Sequence, residues 1–177
     1  MSPNEALKLS KPGQLRSFAA YPWCQPGAEM DLQFRSATVA DHPFLQRLNR
    51  EAYEELVTRQ YGSWDEEFQR ARFAKKLQSV QFRIVLLDDQ PVGAVSSTEY
   101  ADHIFLSELL ILPEFQNRGI GSLVLAGELR HADLIGKPIR LHTLRVNRAQ
   151  ELYRRHGFIE TGCDENYINM EFRGHHT

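Results

Sequence analysis

Cysteine is scarce in this chain, as are the sequence features typical of secreted and membrane proteins. Only Cys24 and Cys163 are present among 177 residues, and two cysteines so far apart make neither a zinc-ligand spacing nor a disulfide framework. No apolar run is long enough to span a membrane, and the first residues contain no apolar core of a signal peptide. These absences predict a cytoplasmic protein with reduced thiols.

An excess of charge of one sign is also lacking. The chain has 21 lysines and arginines against 23 acidic residues, a formal net charge of −2. This balance gives no electrostatic reason to expect nucleic acid or an anionic membrane as a partner. The seven histidines show no metal-ligand spacing. We therefore expect no nucleic-acid partner, no membrane partner and no metal.

The length and the pattern of elements predict one mixed α/β domain. A chain of 177 residues can bury about two-thirds of its unfolded surface. Residues 1–30 are rich in proline and glycine and predict an irregular extension, residues 31–173 the domain, and residues 174–177 a tail. Hydrophobic periodicity predicts the order β-α-α-β-β-β-α-β-α-β-β, with the second helix starting near Ser63. We expect a central twisted mixed sheet of about seven strands with flanking helices.

One segment organises this pattern. Phe105 to Leu112 is apolar on both alternating faces, which is typical of a strand in the middle of a sheet, and Pro113 ends it. A turn with Gly119 and Gly121 follows and opens a helix. The first amides of a helix lack partners within the helix, so this turn can bind an anion such as a phosphate. An ordinary strand-to-helix connection is the alternative.

The two common phosphate loops do not fit this turn. It contains no Gly-Lys-Ser/Thr, which excludes a P-loop. Gly119 and Gly121 could begin a dinucleotide-binding fingerprint, but Val124 occupies the position of its third glycine.

A second informative cluster lies near the end of the chain. Asn147, Ala149 and the pair Leu152-Tyr153 have helical spacing, and Gly157-Phe158 follows directly. Taken alone, this cluster is better explained by a short amphipathic helix with a core tyrosine than by a catalytic site.

Together the two clusters resemble the motifs of the GNAT superfamily of acetyl-CoA-dependent N-acetyltransferases. The first is Gln116-x-x-Gly119-x-Gly121 directly after a strand, and the second is Asn147-x-Ala149 followed by Leu152-Tyr153 and Gly157-Phe158. The resemblance covers about Leu32 to Phe172. One departure is that Asn147 precedes the tyrosine by six residues, where some members have seven.

The resemblance implies a sheet that splays after its fourth strand, with acetyl-CoA as co-substrate in the notch. It implies backbone contacts to the pantetheine arm from Leu110, Ile111 and Leu112. The pyrophosphate would lie on the turn, and Asn147 would lie near the thioester. The turn residues so implied are Gln116, Asn117, Arg118, Gly119, Ile120, Gly121 and Ser122.

The same resemblance suggests two catalytic residues. Tyr153 is the candidate general acid, because a phenol stays protonated at neutral pH and can give its proton to a departing thiolate. Glu108 is the candidate base, because a carboxylate in so apolar a strand must face a cleft or have a partner. A packed core tyrosine and a structural carboxylate, bonded to backbone or arginine, are the respective alternatives.

The sequence says less about the side of the site that would bind the amine acceptor, called the acceptor side below. In the family, the first two helices wall the substrate pocket, and here they contribute Tyr53, Tyr61 and Trp64 beside several acidic residues. Aromatics next to carboxylates suit a cationic amine, but charge runs on helices are more often solvated faces. The acids concerned are Glu54, Glu55, Asp65, Glu66 and Glu67.

These observations favour an N-acetyltransferase that acts on a primary amine of a small molecule or peptide. A catalytically silent acyl-CoA-binding regulatory module of the same fold is the main alternative. Acetylation of charged tRNA ranks low, because the chain lacks a basic stripe. The sequence leaves open a homodimer and a longer acyl group.

Overall fold

A computed structural model describes residues 30–174 and the backbone of Arg16–Ser17; the rest of the predicted N-terminal extension lies outside the described residues. The elements are β1 (Arg16–Ser17), β2 (Leu32–Ser36), α1 (His42–Tyr61), α2 (Glu66–Ser79), β3 (Arg83–Leu87), β4 (Gln90–Glu99), β5 (Ile104–Ile111), α3 (Ile120–Ile135), β6 (Ile139–Leu144), α4 (Ala149–Arg155), β7 (Ile159–Cys163) and β8 (Tyr167–Phe172).

These elements form one mixed sheet with helices on both faces. The strand order is β1-β2-β3-β4-β5-β6-β8-β7, and every neighbouring pair is antiparallel except β5 and β6. From β2 onward the predicted order of elements and the predicted fold class are confirmed, and the two-residue strand β1 extends the sheet by one.

The sheet opens next to β5, which is the fourth strand of the predicted order. The parallel pairing of β5 with β6 is limited to Ile104 with Ile139 and Phe105 with Arg140. Beyond Phe105 the two strands separate, while β5 stays paired with β4 as far as Ile111. The rest of β5 therefore presents one unpaired backbone edge toward β6, like the edge of a sheet that can accept another strand.

An irregularity in β5 decides which side chains face which helices. The register with β4 shifts between Ser96 and Ser97, so that Ser107 is the extra residue of a bulge. Leu106 before it packs in the core cluster with α3, whereas Leu110 after it packs in the cluster with α1 and α2. Because a bulge re-aims the side chains that follow, Glu108 points toward α1 and α2.

The helices bury two separate cores against the two sheet faces. On one face, Val124 and Leu125 of α3 pack with Leu141 of β6 and with Tyr153 of α4. On the other face, Leu48 of α1 and Phe73 of α2 pack with strands β3 to β5. Both cores run up to β5, so this strand is anchored from both sides beside its open edge.

Both acceptor-side helices have clear end signals. Gly62 ends α1 in the left-handed conformation with φ +88°, as glycine permits. The second helix begins at Glu66 rather than near Ser63, because the Asp65 side chain accepts a hydrogen bond from the Phe68 amide and caps it. This cap fixes the residue at which α2 begins.

Candidate active site

The open edge of β5 borders a large cleft of about 790 Å³. Its floor is β5 from Leu106 to Ile111, and its walls come from α1, from β6, from α4 and from the start of α3. The residues of the predicted site that line it are Tyr53, Glu108, Leu110, Ile111, Gln116, Asn117, Gly119, Gly121, Ser122, Asn147 and Tyr153. Two motifs far apart in sequence therefore meet on one cavity.

The first turn of α3 leaves its amides open to this cleft. Gly119 occupies the N-cap position with φ +84°, a left-handed conformation that glycine adopts without strain. The cap position has no side-chain hydrogen bond, and the first turn contains no acidic residue. Unpartnered amides and the positive end of the helix dipole therefore face the cavity, which suits a pyrophosphate.

The backbone of β5 fits only part of the predicted pantetheine contact. The amide of Leu112 donates to the carbonyl of Val92 at 2.9 Å, so Leu112, like Leu110 two residues earlier, turns its polar backbone groups to β4. Ile111 and the unpredicted Leu109 alternate with them and face the open edge. The carbonyl of Ile111 accepts a hydrogen bond from Gln116 Nε2 at 2.9 Å. The polar backbone groups at the open edge are thus those of Leu109 and Ile111 rather than of Leu110 and Leu112, and the pantetheine contact itself stays a prediction.

Two other residues of the predicted turn do not line the cleft. Ile120 is buried in the core beside α3. The guanidinium of Arg118 lies 5.2 Å from the ring centroid of Phe115, a distance at which cation and ring attract each other. Arg118 as a charge partner of the pyrophosphate remains a prediction, and it requires this side chain to leave Phe115.

Tyr153 lies on α4 with its ring packed against Phe158, the two centroids being 5.6 Å apart. It is 7% exposed and lines the cleft. Burial raises the pKa of Tyr153, and the negative charge of Glu108 raises it further. Tyr153 is therefore both a core residue and a protonated phenol at the cleft, which unites two readings that the sequence presented as alternatives.

Glu108 has two partners, and both come from the acceptor-side helices. It is 4% exposed, accepts a hydrogen bond from the Tyr53 hydroxyl at 2.8 Å, and forms an ion pair with Lys76. The expected partners, backbone or an arginine, are thus replaced by a tyrosine and a lysine. Burial and the charge of Glu108 raise the pKa of Tyr53 well above its usual range. The group is therefore a neutral phenol bonded to a paired carboxylate.

Asn147 opens α4 rather than pointing freely into the cleft. Its side-chain Oδ1 accepts a hydrogen bond from the Ala149 amide at 2.9 Å, which is the local turn that asparagine commonly makes before a helix. The Nδ2 end of the same side chain makes no hydrogen bond to the described part of the chain. Asn147 lines the cleft, and its contact with a cofactor remains a prediction.

A second, smaller cavity of about 70 Å³ lies between α1, α2 and β6. It shares part of its wall with the large cleft, so the two cavities adjoin at a junction formed by the residues that line both. The shared residues are Tyr53, Ser107, Glu108, His142, Thr143 and Asn147. The junction contains the candidate base, and the large cleft beside it contains Tyr153.

His142 is a site residue that sequence analysis missed. Its ring lies between Phe105 and Tyr167, at centroid distances of 5.3 and 5.2 Å. Partial desolvation between these rings lowers the pKa of His142, and the charges of Lys76 and Arg72 lower it further. A neutral imidazole thus faces the junction of the cavities. In the sequence, His142 stood out only by its position in a predicted strand, and its spacing from other residues did not suggest a site.

The predicted mixture of aromatics and acids is only partly present. Tyr53 and Tyr61 line the small cavity, but Trp64 lines neither of the two cavities and donates to Glu66 at 2.8 Å. Glu54 and Glu66 both lie near Arg50, at 3.0 and 3.5 Å. Asp65 caps α2, whereas Glu55 lines the large cleft. None of the five acids lines the small cavity, whose charged residues are Arg72, Lys76 and Glu108. The prediction for Trp64 and for the acids is corrected accordingly.

Within residues 30–174, no group of three or more His, Cys, Asp or Glu side chains is arranged to hold a metal ion. Over the same residues, none of the helices combines the length and the apolar character needed to cross a bilayer.

Comparison with known proteins agrees with this geometry. Residues 78–160 match the family model described as an acetyltransferase (GNAT) domain. The match includes the α3 turn and the α4 cluster, which hold both motifs. No curated protein matches the chain significantly.

Solved structures share the fold at low sequence identity. The PaiA N-acetyltransferase from Thermoplasma acidophilum, in complex with coenzyme A, is 21% identical over 81% of this chain and 99% of that chain, with a TM-score of 0.67. The ribosomal-protein-S18-alanine N-acetyltransferase from Escherichia coli is 17% identical over 82% and 96%, with a TM-score of 0.61. An acetyltransferase from Salmonella typhimurium, which modifies the N-terminal serine of ribosomal protein L7/L12, is 17% identical over 80% and 94%, with a TM-score of 0.60.

These likenesses establish the fold, and the family model over residues 78–160 adds both motifs of the site. Residues 78–160 therefore match a GNAT acetyltransferase domain, and the described chain has the fold of GNAT acetyltransferases.

Proposed function

We propose that the protein transfers the acetyl group of acetyl-CoA to a primary amine, by direct attack within a ternary complex. The observation that carries this proposal is the junction of two cavities at Glu108 and His142, beside Tyr153. A long cleft and a small pocket that meet at proton-transferring groups suit two substrates that react with each other. The neighbours described as N-acetyltransferases of ribosomal alanine and serine support an amine as the acceptor.

The chain offers acetyl-CoA two kinds of backbone contact. The open edge of β5, at Leu109 and Ile111, can pair with the amide groups of the pantetheine arm as a strand would. The amides that follow Gly119 at the start of α3 can hold the pyrophosphate. A thioester bound this way supplies an activated acyl group, and its carbonyl end reaches the junction.

The transfer requires a neutral amine and a protonated leaving group. The amine nitrogen bonds to the thioester carbonyl carbon, the carbon–sulfur bond breaks, and the sulfur leaves with the bond electrons. One proton must leave the nitrogen and one must reach the sulfur. Within the described residues we assign these two tasks to Glu108 and Tyr153.

Tyr153 suits the leaving group because it keeps its proton. Since its pKa is raised, the phenol stays neutral and donates a hydrogen bond to the sulfur as negative charge develops there. The hydroxyl makes no hydrogen bond within the described part of the chain, so its proton is available. The Tyr53 hydroxyl, by contrast, already donates its hydrogen bond to Glu108.

Glu108 suits the amine because it retains free lone pairs. An ionised carboxylate has about four acceptor sites, and only two are taken, by Tyr53 and Lys76. Glu108 can therefore take the proton of the amine directly or through a water.

The decisive experiment measures release of free CoA from acetyl-CoA over a panel of amines, alongside calorimetry of acetyl-CoA binding. We expect saturable binding and turnover with at least one amine class. Binding of acetyl-CoA without turnover on any amine would favour the silent regulatory module instead. Absence of acetyl-CoA binding would overturn both.

A further inference from the structure

The small cavity has an uneven charge distribution. Arg72 and Lys76 are the two basic residues that line it, and Glu108 is the one acidic residue. Lys76 and Glu108 form an ion pair, so their charges compensate each other. The guanidinium of Arg72 forms no ion pair within the described residues, and its one hydrogen bond goes to the Tyr167 hydroxyl at 3.4 Å. The cavity therefore carries one uncompensated positive charge.

That charge acts inside the cavity. Burial is the main cause that raises the pKa of Tyr53 and Tyr61 and lowers that of His142, and the positive charge of Arg72 is a smaller cause that favours the deprotonated form of all three. These groups belong to α1 and β6, across the pocket from α2. The positive charge of Arg72 thus acts on groups of the pocket wall, although the side chain is largely exposed and solvent screens its charge.

The polar groups divide the pocket into two ends. At the inner end, Glu108 and His142 border the cleft where the acetyl group is delivered. At the outer end, Arg72 and the Tyr167 hydroxyl provide hydrogen-bond donors. The inner end accepts a proton and the outer end attracts an anion, which matches the two ends of a small molecule that carries both an amine and an acid.

Resting on the function proposed above, we propose that the acceptor carries a carboxylate a few bonds from its reactive amine, as amino acids do, and that Arg72 binds this carboxylate. The planar guanidinium can make paired hydrogen bonds to a carboxylate. One uncompensated cation balances one carboxylate, whereas a phosphate dianion would remain half-neutralised. A polyamine or aminoglycoside would bring further positive charge beside Arg72, which disfavours both as acceptors.

The test compares each amino acid with its uncharged amide and with its decarboxylated amine at equal concentrations of free amine. For wild type we expect kcat/KM for the acid to exceed that for the amide by about tenfold or more, since hydrogen bonds to charged groups contribute about 1.5–3 kcal/mol. In Arg72→Gln this preference should fall close to unity, mostly through KM. Arg72→Lys should retain part of it.

Arg70→Gln is the matched control, because Arg70 lies on the same helix, is exposed and lines neither cavity. It should keep the full preference for the acid. A wild type that acetylates amines without favouring acids would overturn the carboxylate site, as would an Arg72→Gln variant that keeps the preference. An amine phosphate preferred over the carboxylate would also overturn it.

A binding measurement separates this proposal from the proposed function. With saturating CoA present, thermal shifts are recorded for the acid and the amide in wild type and in Arg72→Gln. If turnover is absent but the acid stabilises wild type and not Arg72→Gln, the carboxylate site stands and the enzymatic proposal fails. If neither ligand discriminates the two proteins, the carboxylate site fails whatever the turnover.

Discussion

The two cavities differ in the kind of chemical groups that they offer a ligand. The large cleft presents backbone groups, from the edge of β5 and from the first turn of α3, which follow each other within a few residues along the chain. The small pocket presents side chains that five separate elements bring together: α1, α2, β5, β6 and β8. Backbone contacts suit a constant ligand, and side-chain contacts suit a ligand that differs between relatives. This difference explains why the cofactor side could be predicted from the sequence and the acceptor side could not.

Removing the hydroxyl that is proposed to protonate the leaving thiolate should have the largest effect on turnover. Tyr153→Phe keeps the packing with Phe158 but loses the hydroxyl, so kcat should fall by about 10³-fold with acetyl-CoA affinity unchanged. Stopped-flow CoA release and calorimetry measure the two quantities. Tyr100→Phe is the control, because Tyr100 is 50% exposed and lines neither cavity. Wild-type turnover in Tyr153→Phe would remove this residue from the mechanism.

The second-largest effect is expected for the general base, which lies at the junction of the two cavities. Glu108→Gln should lower kcat/KM by about 10²-fold and abolish the acidic limb of its pH profile. His142→Gln should leave that limb in place, because the proton of the amine is assigned to Glu108. The reverse pattern, with the limb lost only in His142→Gln, would assign the base to His142.

Two glycines at opposite ends of α3 allow a comparison between a backbone position that is proposed to bind the cofactor and one that is only structural. Gly119 and Gly136 flank α3, and both have positive φ, at +84° and +65°. Alanine at either position should cost about 1 kcal/mol of stability through left-handed strain. Only Gly119→Ala should also weaken acetyl-CoA binding, by about tenfold. Equal affinities in the two variants would mean that the α3 turn does not hold the cofactor.

The smallest effect concerns how α1, a wall of the acceptor pocket, is anchored. Asp41 precedes α1, pairs with Arg35 at 2.6 Å and accepts a hydrogen bond from the Thr38 amide at 2.8 Å. The Arg35 guanidinium holds the pKa of Asp41 well below its usual range, and the Thr38 contacts add to this. The stability that Asp41 contributes is therefore present above its unfolded pKa of about 3.9 and is lost as pH falls below it.

Asp41→Asn should accordingly destabilise the protein by about 1 kcal/mol at pH 7. The difference from wild type should shrink as pH falls below about 4, while turnover at neutral pH changes little. Urea unfolding at a series of pH values measures this. A difference that is constant from pH 7 to pH 3 would show that the ion pair does not contribute through charge.

The cofactor side was predictable because its determinants are local. A buried strand, a proline, two glycines and a helix are contiguous in the sequence, and each has its own physical reason to occupy its position. Even so, the register of β4 was not visible in the sequence. The backbone contacts were therefore predicted at Leu110 and Leu112, where the structure favours Leu109 beside Ile111.

The acceptor side could not be predicted in the same way. Glu108 bonds to Tyr53 and Lys76, which are 55 and 32 residues away along the chain. That contact depends on the bulge at Ser107 and on the packing of α2 against the sheet. Neither follows from hydrophobic periodicity. The aromatic and acidic residues of α1 and α2 were therefore visible as a composition, but not as a site.

The central claim is that the amine attacks acetyl-CoA directly where the two cavities adjoin. Initial rates of CoA release, measured while acetyl-CoA and the best amine of the panel are both varied, test this claim most directly. A ternary complex predicts double-reciprocal lines that intersect. Parallel lines, together with a burst of CoA release in the absence of amine, would reveal an acetyl-enzyme and contradict the account.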